Sequence, residues 1–109
     1  MSKIEQFEAM LAKGQDNALL RYTLGSLYLQ EAQPAEAAAH LRAAVQHDQN
    51  YSAAWRALGK ALTDVGELDE AIETYERGIE VASGRGDMQL VKEMQVFLRR
   101  ARKQRDSDT

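Results

Sequence analysis

The sequence predicts an all-α domain in which about six helices are stacked as successive helix pairs. Composition supports this fold class first, because Ala, Leu, Gln and Glu dominate the chain while strand-favouring residues are sparse. Only one Pro and seven Gly interrupt the 109 residues, a length that suffices for one domain with its own core. The second observation is a sequence repeat with a period of 34 residues, and the third is the helical spacing of its apolar side chains.

The repeat becomes visible when the sequence is shifted by 34 residues against itself. Five positions then coincide: Leu24 with Leu58, Gly25 with Gly59, Tyr28 with Leu62, Ala37 with Ala71, and Leu41 with Tyr75. A further shift from Leu41 reaches Phe7, so the chain enters the pattern with a lone helix of the second type. Because each unit is two amphipathic helices that cannot bury their apolar faces alone, we expect neighbouring units to stack and share a core.

Six helices follow from this pattern, with short turns between them. They are predicted over residues 2–13, 18–31, 35–48, 52–65, 69–82 and 87–104. The first is a half-repeat helix, residues 18–51 and 52–85 are two full repeats, the last helix caps a single domain of residues 1–104, and residues 105–109 form a disordered tail. Pro34 suits a first helical turn and Gly66 suits a helix end.

Two glycines recur at the same phase inside the first helix of each repeat. An interior helical Gly costs about 1 kcal/mol relative to Ala, so the recurrence at Gly25 and Gly59 needs a physical reason. We expect both glycines to allow close approach of the paired helices, against the small Ala37 and Ala71.

The last helix does not follow the 34-residue register. At that offset its signature positions are mostly polar, whereas an offset of 36 brings Val91, Met94 and Leu98 onto them. The segment from Ser83 to Gly86 is therefore predicted to be a turn two residues longer. A helix with one apolar face and charge elsewhere is suited to capping the stack.

The second unit resembles the tetratricopeptide repeat (TPR) family. Its helices read Trp55-Arg-Ala-Leu-Gly-Lys-Ala-Leu and Ala71-Ile-Glu-Thr-Tyr-Glu-Arg-Gly, close to the family signature W-x2-L-G-x2-(Y/L) followed by A-x3-(F/Y)-x2-(A/G). The first unit departs from it at Arg21, where the signature has Trp. The resemblance covers almost the whole chain. It implies a right-handed α–α superhelix of TPR helix hairpins that serves as a protein-interaction or scaffold module.

The residues needed for catalysis or metal binding are missing from the sequence. The chain has no cysteine, which excludes disulfides, thiol catalysis and thiolate metal sites. His40 and His47 lie about 10 Å apart along one helix, too far for one metal ion, and we expect both at the surface. We predict no enzymatic activity, no metal and no cofactor, with Trp55 and Tyr75 in the core.

The resemblance also implies where a ligand binds. In TPR proteins the concave groove is lined by the first helix of each pair, through residues beside the core stripe. Carried onto this sequence, the peptide-binding residues are Tyr22, Ser26, Leu29, Arg56, Lys60, Thr63, Lys92, Val96 and Arg99. Since Arg56 and Lys60 lie one helical turn apart, both can face one anion, and the expected partner is a protein or peptide that carries an acidic group. The clamp with which some TPR proteins hold the C-terminal carboxylate of chaperone tails is absent, because Tyr22, Ser26 and Ala57 occupy its positions.

The distribution of charge leaves two alternatives open. Residues 1–98 carry nine basic and fifteen acidic side chains, which disfavours a general nucleic-acid binder, but five basic residues lie between Arg99 and Arg105. The first alternative is therefore an anion or nucleic-acid contact through the basic C-terminal end. The second is self-association through an end helix, giving a weak homodimer instead of a monomer. The acidic N-terminal segment and the lack of an apolar run of about 18 residues predict a cytoplasmic protein with no membrane partner.

Overall fold

Six α-helices make up most of the computed structural model, which describes residues 1–108. They are α1 (Lys3–Ala12), α2 (Ala18–Gln30), α3 (Pro34–His47), α4 (Ser52–Val65), α5 (Leu68–Gly84) and α6 (Met88–Ser107). No strand occurs within these residues, and the predicted all-α class is confirmed. Helices α1 to α5 begin and end within two residues of their predicted limits. In the described part of the chain, no helix combines the length and apolar character that crossing a membrane requires.

The helices pack in chain order, and their buried apolar residues form two clusters, one centred on α3 and α4 and the other on α5 and α6. α2 packs against α3, α4 against both α3 and α5, and α6 against α5. α4 also contacts α2 and α6, which brings the first helices of successive pairs side by side. The largest fully buried side chains are Leu24, Leu41, Leu62 and Met94. Each such side chain contributes on the order of 1.5–3 kcal/mol by leaving water, so the stacking of helix pairs stabilises the fold.

Both interior glycines lie at close helix contacts, but their partners are not the predicted alanines. A Cβ atom at Gly25 would come within 2.7 Å of Leu41 Cδ2, and one at Gly59 within 2.7 Å of Tyr75 Cδ1. Leu41 and Tyr75 are buried, and each lies one helical turn beyond the small residue that we had expected to make the contact. The glycine in each pair therefore makes room for a large side chain of the second helix.

Left-handed backbone ends the first helix of each full repeat. Gly66 follows α4 with φ +96°, as its position predicted. The equivalent residue after α2 is Ala32, which among residues 1–108 is the non-glycine residue with positive φ, at 56°. An L-residue pays roughly 1–2 kcal/mol for this conformation. Pro34 then opens α3 in its first turn, where the missing N–H has no partner to lose.

The connection between α5 and α6 differs from the prediction. Ser83 and Gly84 belong to α5, and the turn consists of residues 85–87, so the additional residues lengthen a helix and not the turn. Ala82 is fully buried, so the last turn of α5 stays packed on the core. Gly86, with φ +76°, then reverses the chain direction.

The C-terminal end also differs from the prediction. α6 continues to Ser107, so residues 105–107 are helical where we expected a disordered tail. Two contacts support the extra turn: Ser107 Oγ donates to the carbonyl of Lys103 at 2.9 Å, and Arg105 Nη1 lies 3.5 Å from Asp69 Oδ1 on α5. Thr109, the last residue of the predicted tail, lies outside the described residues.

Candidate functional site

The concave side of the helix array contains two adjoining half-open cavities. The first has a volume of about 320 Å³ and is lined by Tyr22, Ser26, Leu29, Arg56, Ala57, Lys60, Glu93 and Phe97. The second has a volume of about 310 Å³ and is lined by Lys60, Thr63, Asp64, Tyr75, Phe97, Arg100, Ala101 and Gln104. Because Lys60 and Phe97 belong to both linings, the cavities form one trough across α2, α4 and α6, which we call the groove.

The structure brings the predicted residues of α2 and α4 together in this groove. All six line one or both cavities: Tyr22, Ser26, Leu29, Arg56, Lys60 and Thr63. Their helices place them there because they follow spacings of three and four residues beside the buried stripe of α2 and α4. Their role in peptide binding stays a prediction.

The three predicted residues of α6 are not brought into the groove. Lys92, Val96 and Arg99 line neither cavity, and the positions one residue further, Glu93, Phe97 and Arg100, take their place. One residue corresponds to a rotation of about 100° around a helix. The equivalent residues of α2 face α4, and those of α4 face α6. In the described chain no helix follows α6, so this side of α6 has no neighbour, and the groove uses the side that faces back to α4.

Sequence reasoning therefore missed the α6 half of the groove. The buried residues Val91, Met94 and Leu98 do follow the predicted offset of 36, so the core of α6 is correctly placed. Phe97 was the available signal, since a large aromatic residue directly beside the core stripe suggests a half-buried surface.

The two cations that we expected to receive an anionic ligand already have carboxylate partners. Arg56 Nη1 lies 2.7 Å from Glu93 Oε2, which links α4 to α6 across the groove. Lys60 Nζ lies 3.0 Å from Asp64 Oδ2, one turn further along α4. The hydrogen bond from Arg56 lowers the pKa of Glu93, and a second one from Gln89 acts in the same direction. A ligand carboxylate at either cation would thus compete with an internal one.

The floor of the second cavity is aromatic. Tyr75, at 2% exposure, lies under the cavity with its ring centroid 5.9 Å from that of Phe97. Burial raises the pKa of the Tyr75 hydroxyl to about 12, so the ring stays neutral at physiological pH. Tyr75 is in the core as predicted, whereas Trp55 lies half-buried at the edge of the core, with its indole N–H donating to the carbonyl of Gln49 at 2.9 Å.

The prediction that both histidines lie at the surface is wrong for His40. Its side chain is 13% exposed, its ring stacks on Tyr28 at 5.4 Å, and its Nε2 lies 3.1 Å from Glu8 Oε1. Glu8 also accepts a hydrogen bond from the Tyr28 hydroxyl at 2.9 Å, so this polar cluster attaches α1 to α2 and α3. The repeat could have indicated that His40 is not fully exposed, because His40 occupies the same repeat position as Thr74, which is buried.

His47 lies at the more exposed end of the same helix. Its Nε2 is 3.0 Å from Asp16 Oδ1, and Arg21 Nε lies 2.8 Å from the same oxygen. The hydrogen bond from Arg21, followed by that from His47, lowers the pKa of Asp16 to about 2. Among residues 1–108, no three His, Asp or Glu side chains are grouped as a metal ion would require.

The comparisons with known proteins agree on the architecture. The family model described as Tetratricopeptide repeat matches residues 28–93. A TPR repeat-containing protein of Pseudomonas aeruginosa is 50% identical over 97 residues, which cover 89% of this chain and 92% of that protein. The solution structure of a protein from Bordetella parapertussis is 48% identical with a TM-score of 0.80, covering 95% of this chain and 90% of that one. The solution structure of a tetratricopeptide repeat domain protein from Salinibacter ruber is 30% identical with a TM-score of 0.71, covering 79% and 87% respectively.

Proposed function

Because this chain belongs to the tetratricopeptide repeat family, a non-catalytic fold whose domains generally mediate protein–protein interaction, we propose that it is an interaction module that binds a peptide segment of a partner protein in the groove. The observation that carries the proposal is the continuity of the two cavities across α2, α4 and α6. Helical repeat proteins use such extended concave surfaces for binding.

The chemistry of the groove supports a peptide as the ligand. Half-buried apolar side chains, among them Tyr22, Leu29 and Phe97, offer contact area, while charged groups stand beside them. Apolar pockets with a few polar groups that fix orientation are typical of ligand sites, and volumes near 300 Å³ lie at the small end of their range of about 300–1,000 Å³. Each cavity therefore suits one or two side chains of an extended segment better than a cofactor.

The basic C-terminal end offers less support for a nucleic-acid function. Arg102 Nη2 lies 2.8 Å from Glu76 Oε2, and Arg105 lies against Asp69, so two of the five basic residues bind α6 to α5. Arg100 faces the second cavity, which leaves Arg99 and Lys103 on the exposed side of the helix. Phosphate binding over several nucleotides needs a larger contiguous basic surface.

The test is a selection of peptides on the whole protein from a random displayed library, followed by affinity measurement with the synthetic peptides. Ala57→Arg places a long side chain on the groove floor. Ala39→Arg makes the same chemical change at an exposed position of α3, outside both cavities, and is the matched control. Circular dichroism establishes that both variants keep the fold.

Peptides that bind in the groove should bind Ala57→Arg at least about tenfold more weakly, since a desolvated contact surface is lost, and should bind Ala39→Arg like the unchanged protein. Selected peptides that bind Ala57→Arg with unchanged affinity would place the binding surface elsewhere and refute the proposal.

A further inference from the structure

The charges in the groove are not evenly compensated. Arg56 and Lys60 each have a carboxylate within 3.0 Å. Arg100, the third cation of the groove, has no ion pair or side-chain hydrogen bond to any of the residues 1–108. Binding a ligand carboxylate there displaces no internal partner, whereas at Arg56 or Lys60 it does.

We propose, on the premise that the groove binds peptides, that Arg100 is the residue that recognises an acidic side chain of the bound segment, and that the neighbouring large apolar side chain of that segment enters the second cavity. The ligand class is thus a peptide segment in which an aromatic or large aliphatic residue is adjacent in sequence to Glu or Asp.

Side chains that can bind both residues of such a motif lie side by side on α6. Phe97, Arg100 and Gln104 follow one another at spacings of three and four residues, so they lie along one face of the helix and all three line the second cavity. Phe97 and the buried Tyr75 supply the apolar floor. The guanidinium of Arg100 can bind a carboxylate with two parallel hydrogen bonds, and the amide of Gln104 is a further donor on the same side.

The opposite wall of the cavity limits where the acidic group can lie. Asp64, on α4, lines the cavity and carries a negative charge next to Lys60. A ligand carboxylate near Asp64 meets a negative charge and one near Arg100 a cation that is unpaired within residues 1–108, so the acidic side chain of the segment lies on the α6 wall. The other basic residues of this end do not compete for the same group, because Arg99 and Lys103 line neither cavity.

The experiment titrates ¹⁵N-labelled whole protein with short blocked peptides and follows the backbone amide signals. The probes are the N-acetylated and C-amidated tetrapeptides Gly-Phe-Glu-Gly, Gly-Phe-Gln-Gly and Gly-Ala-Glu-Gly. A fourth probe, Gly-Phe-Gln-Gly with a free C-terminus, distinguishes a terminal carboxylate from a side-chain one. Arg100→Gln is the test variant, and Arg99→Gln is the matched control, because Arg99 is the adjacent exposed arginine outside the groove.

We expect Gly-Phe-Glu-Gly to shift the signals of Phe97, Arg100 and Gln104 and to bind about tenfold more tightly than Gly-Phe-Gln-Gly, as charge-assisted hydrogen bonds typically give. Arg100→Gln should remove this preference without weakening Gly-Phe-Gln-Gly, and Arg99→Gln should keep it. Gly-Ala-Glu-Gly should bind more weakly than Gly-Phe-Glu-Gly.

Four outcomes overturn the inference. If the Glu and Gln peptides bind the groove equally, or if Arg100→Gln leaves the preference intact, Arg100 does not recognise the acidic group, while the proposed function stands. If the free C-terminus alone restores tight binding, the recognised group is a terminal carboxylate. If no probe shifts a groove signal, the motif is wrong, and the library selection with Ala57→Arg decides the proposed function independently.

Discussion

Replacing Gly59 with alanine adds one Cβ atom, which has two opposing effects on the stability of the fold. In a helix interior the change from Gly to Ala stabilises by about 1 kcal/mol through backbone entropy alone. The new Cβ atom, however, would lie 2.7 Å from Cδ1 of Tyr75, closer than carbon atoms pack. Tyr75 is 2% exposed and its ring packs on Phe97, so it can yield only by moving a large aromatic side chain.

The magnitude follows from these two terms. Overpacking a buried contact costs about 1–3 kcal/mol, which exceeds the gain in helix propensity of about 1 kcal/mol over most of its range. We expect Gly59→Ala to lower the free energy of unfolding by about 1 kcal/mol, and Gly59→Leu to lower it by more. The measurement is urea unfolding at constant temperature, followed by far-UV circular dichroism.

Gly84→Ala is the matched control. Gly84 is also helical, but a Cβ atom there meets nothing within 4 Å. The control should be neutral or stabilising by up to about 1 kcal/mol, so a destabilisation seen only in Gly59→Ala reports the overpacking. If Gly59→Ala is as stable as Gly84→Ala, the close contact with Tyr75 does not decide the residue at this position, and the reasoning is refuted.

Three further predictions concern two single residues and one ion pair. Ala32→Gly should raise the free energy of unfolding by about 0.5–1 kcal/mol. The reason is that glycine adopts the left-handed conformation without strain, and this gain exceeds the stability lost through the greater entropy of the unfolded chain. An unchanged urea midpoint would contradict this. Asp16→Asn should lower the melting temperature at neutral pH, and the difference should shrink between about pH 4 and pH 2. A carboxylate with a lowered folded-state pKa stabilises fully above its unfolded pKa, and this stabilisation is lost as the pH falls through the folded-state pKa of about 2. A difference that keeps its full size at pH 2 would refute the linkage. Arg42 and Glu70 are paired at 2.7 Å, with side chains 43% and 42% exposed. A double-mutant cycle on this pair should give a coupling energy below about 1 kcal/mol that weakens in salt. A larger, salt-independent coupling energy would show that the pair is shielded from water.

The sequence alone was sufficient for properties that depend on local spacing. Helix number, the limits of α1 to α5 to within two residues, the left-handed turn at Gly66 and the groove positions on α2 and α4 follow from the spacing of three and four residues and from the 34-residue repeat. The close helix contacts at Gly25 and Gly59 were predictable for the same reason, because the two glycines occupy equivalent positions in the repeat.

Only the tertiary structure decided which side chains meet across helices. The pairing of Arg56 with Glu93 joins residues 37 positions apart, and the contact of His40 Nε2 with Glu8 on α1 joins residues 32 positions apart. No periodicity encodes such contacts, because they depend on the rotation of one helix against another, and a rotation of one residue exchanges Lys92, Val96 and Arg99 for Glu93, Phe97 and Arg100. Within residues 1–108, α6 packs against α4 and α5 and no later helix, so the repeat that orients α2 and α4 toward a following helix does not determine which face of α6 the groove uses.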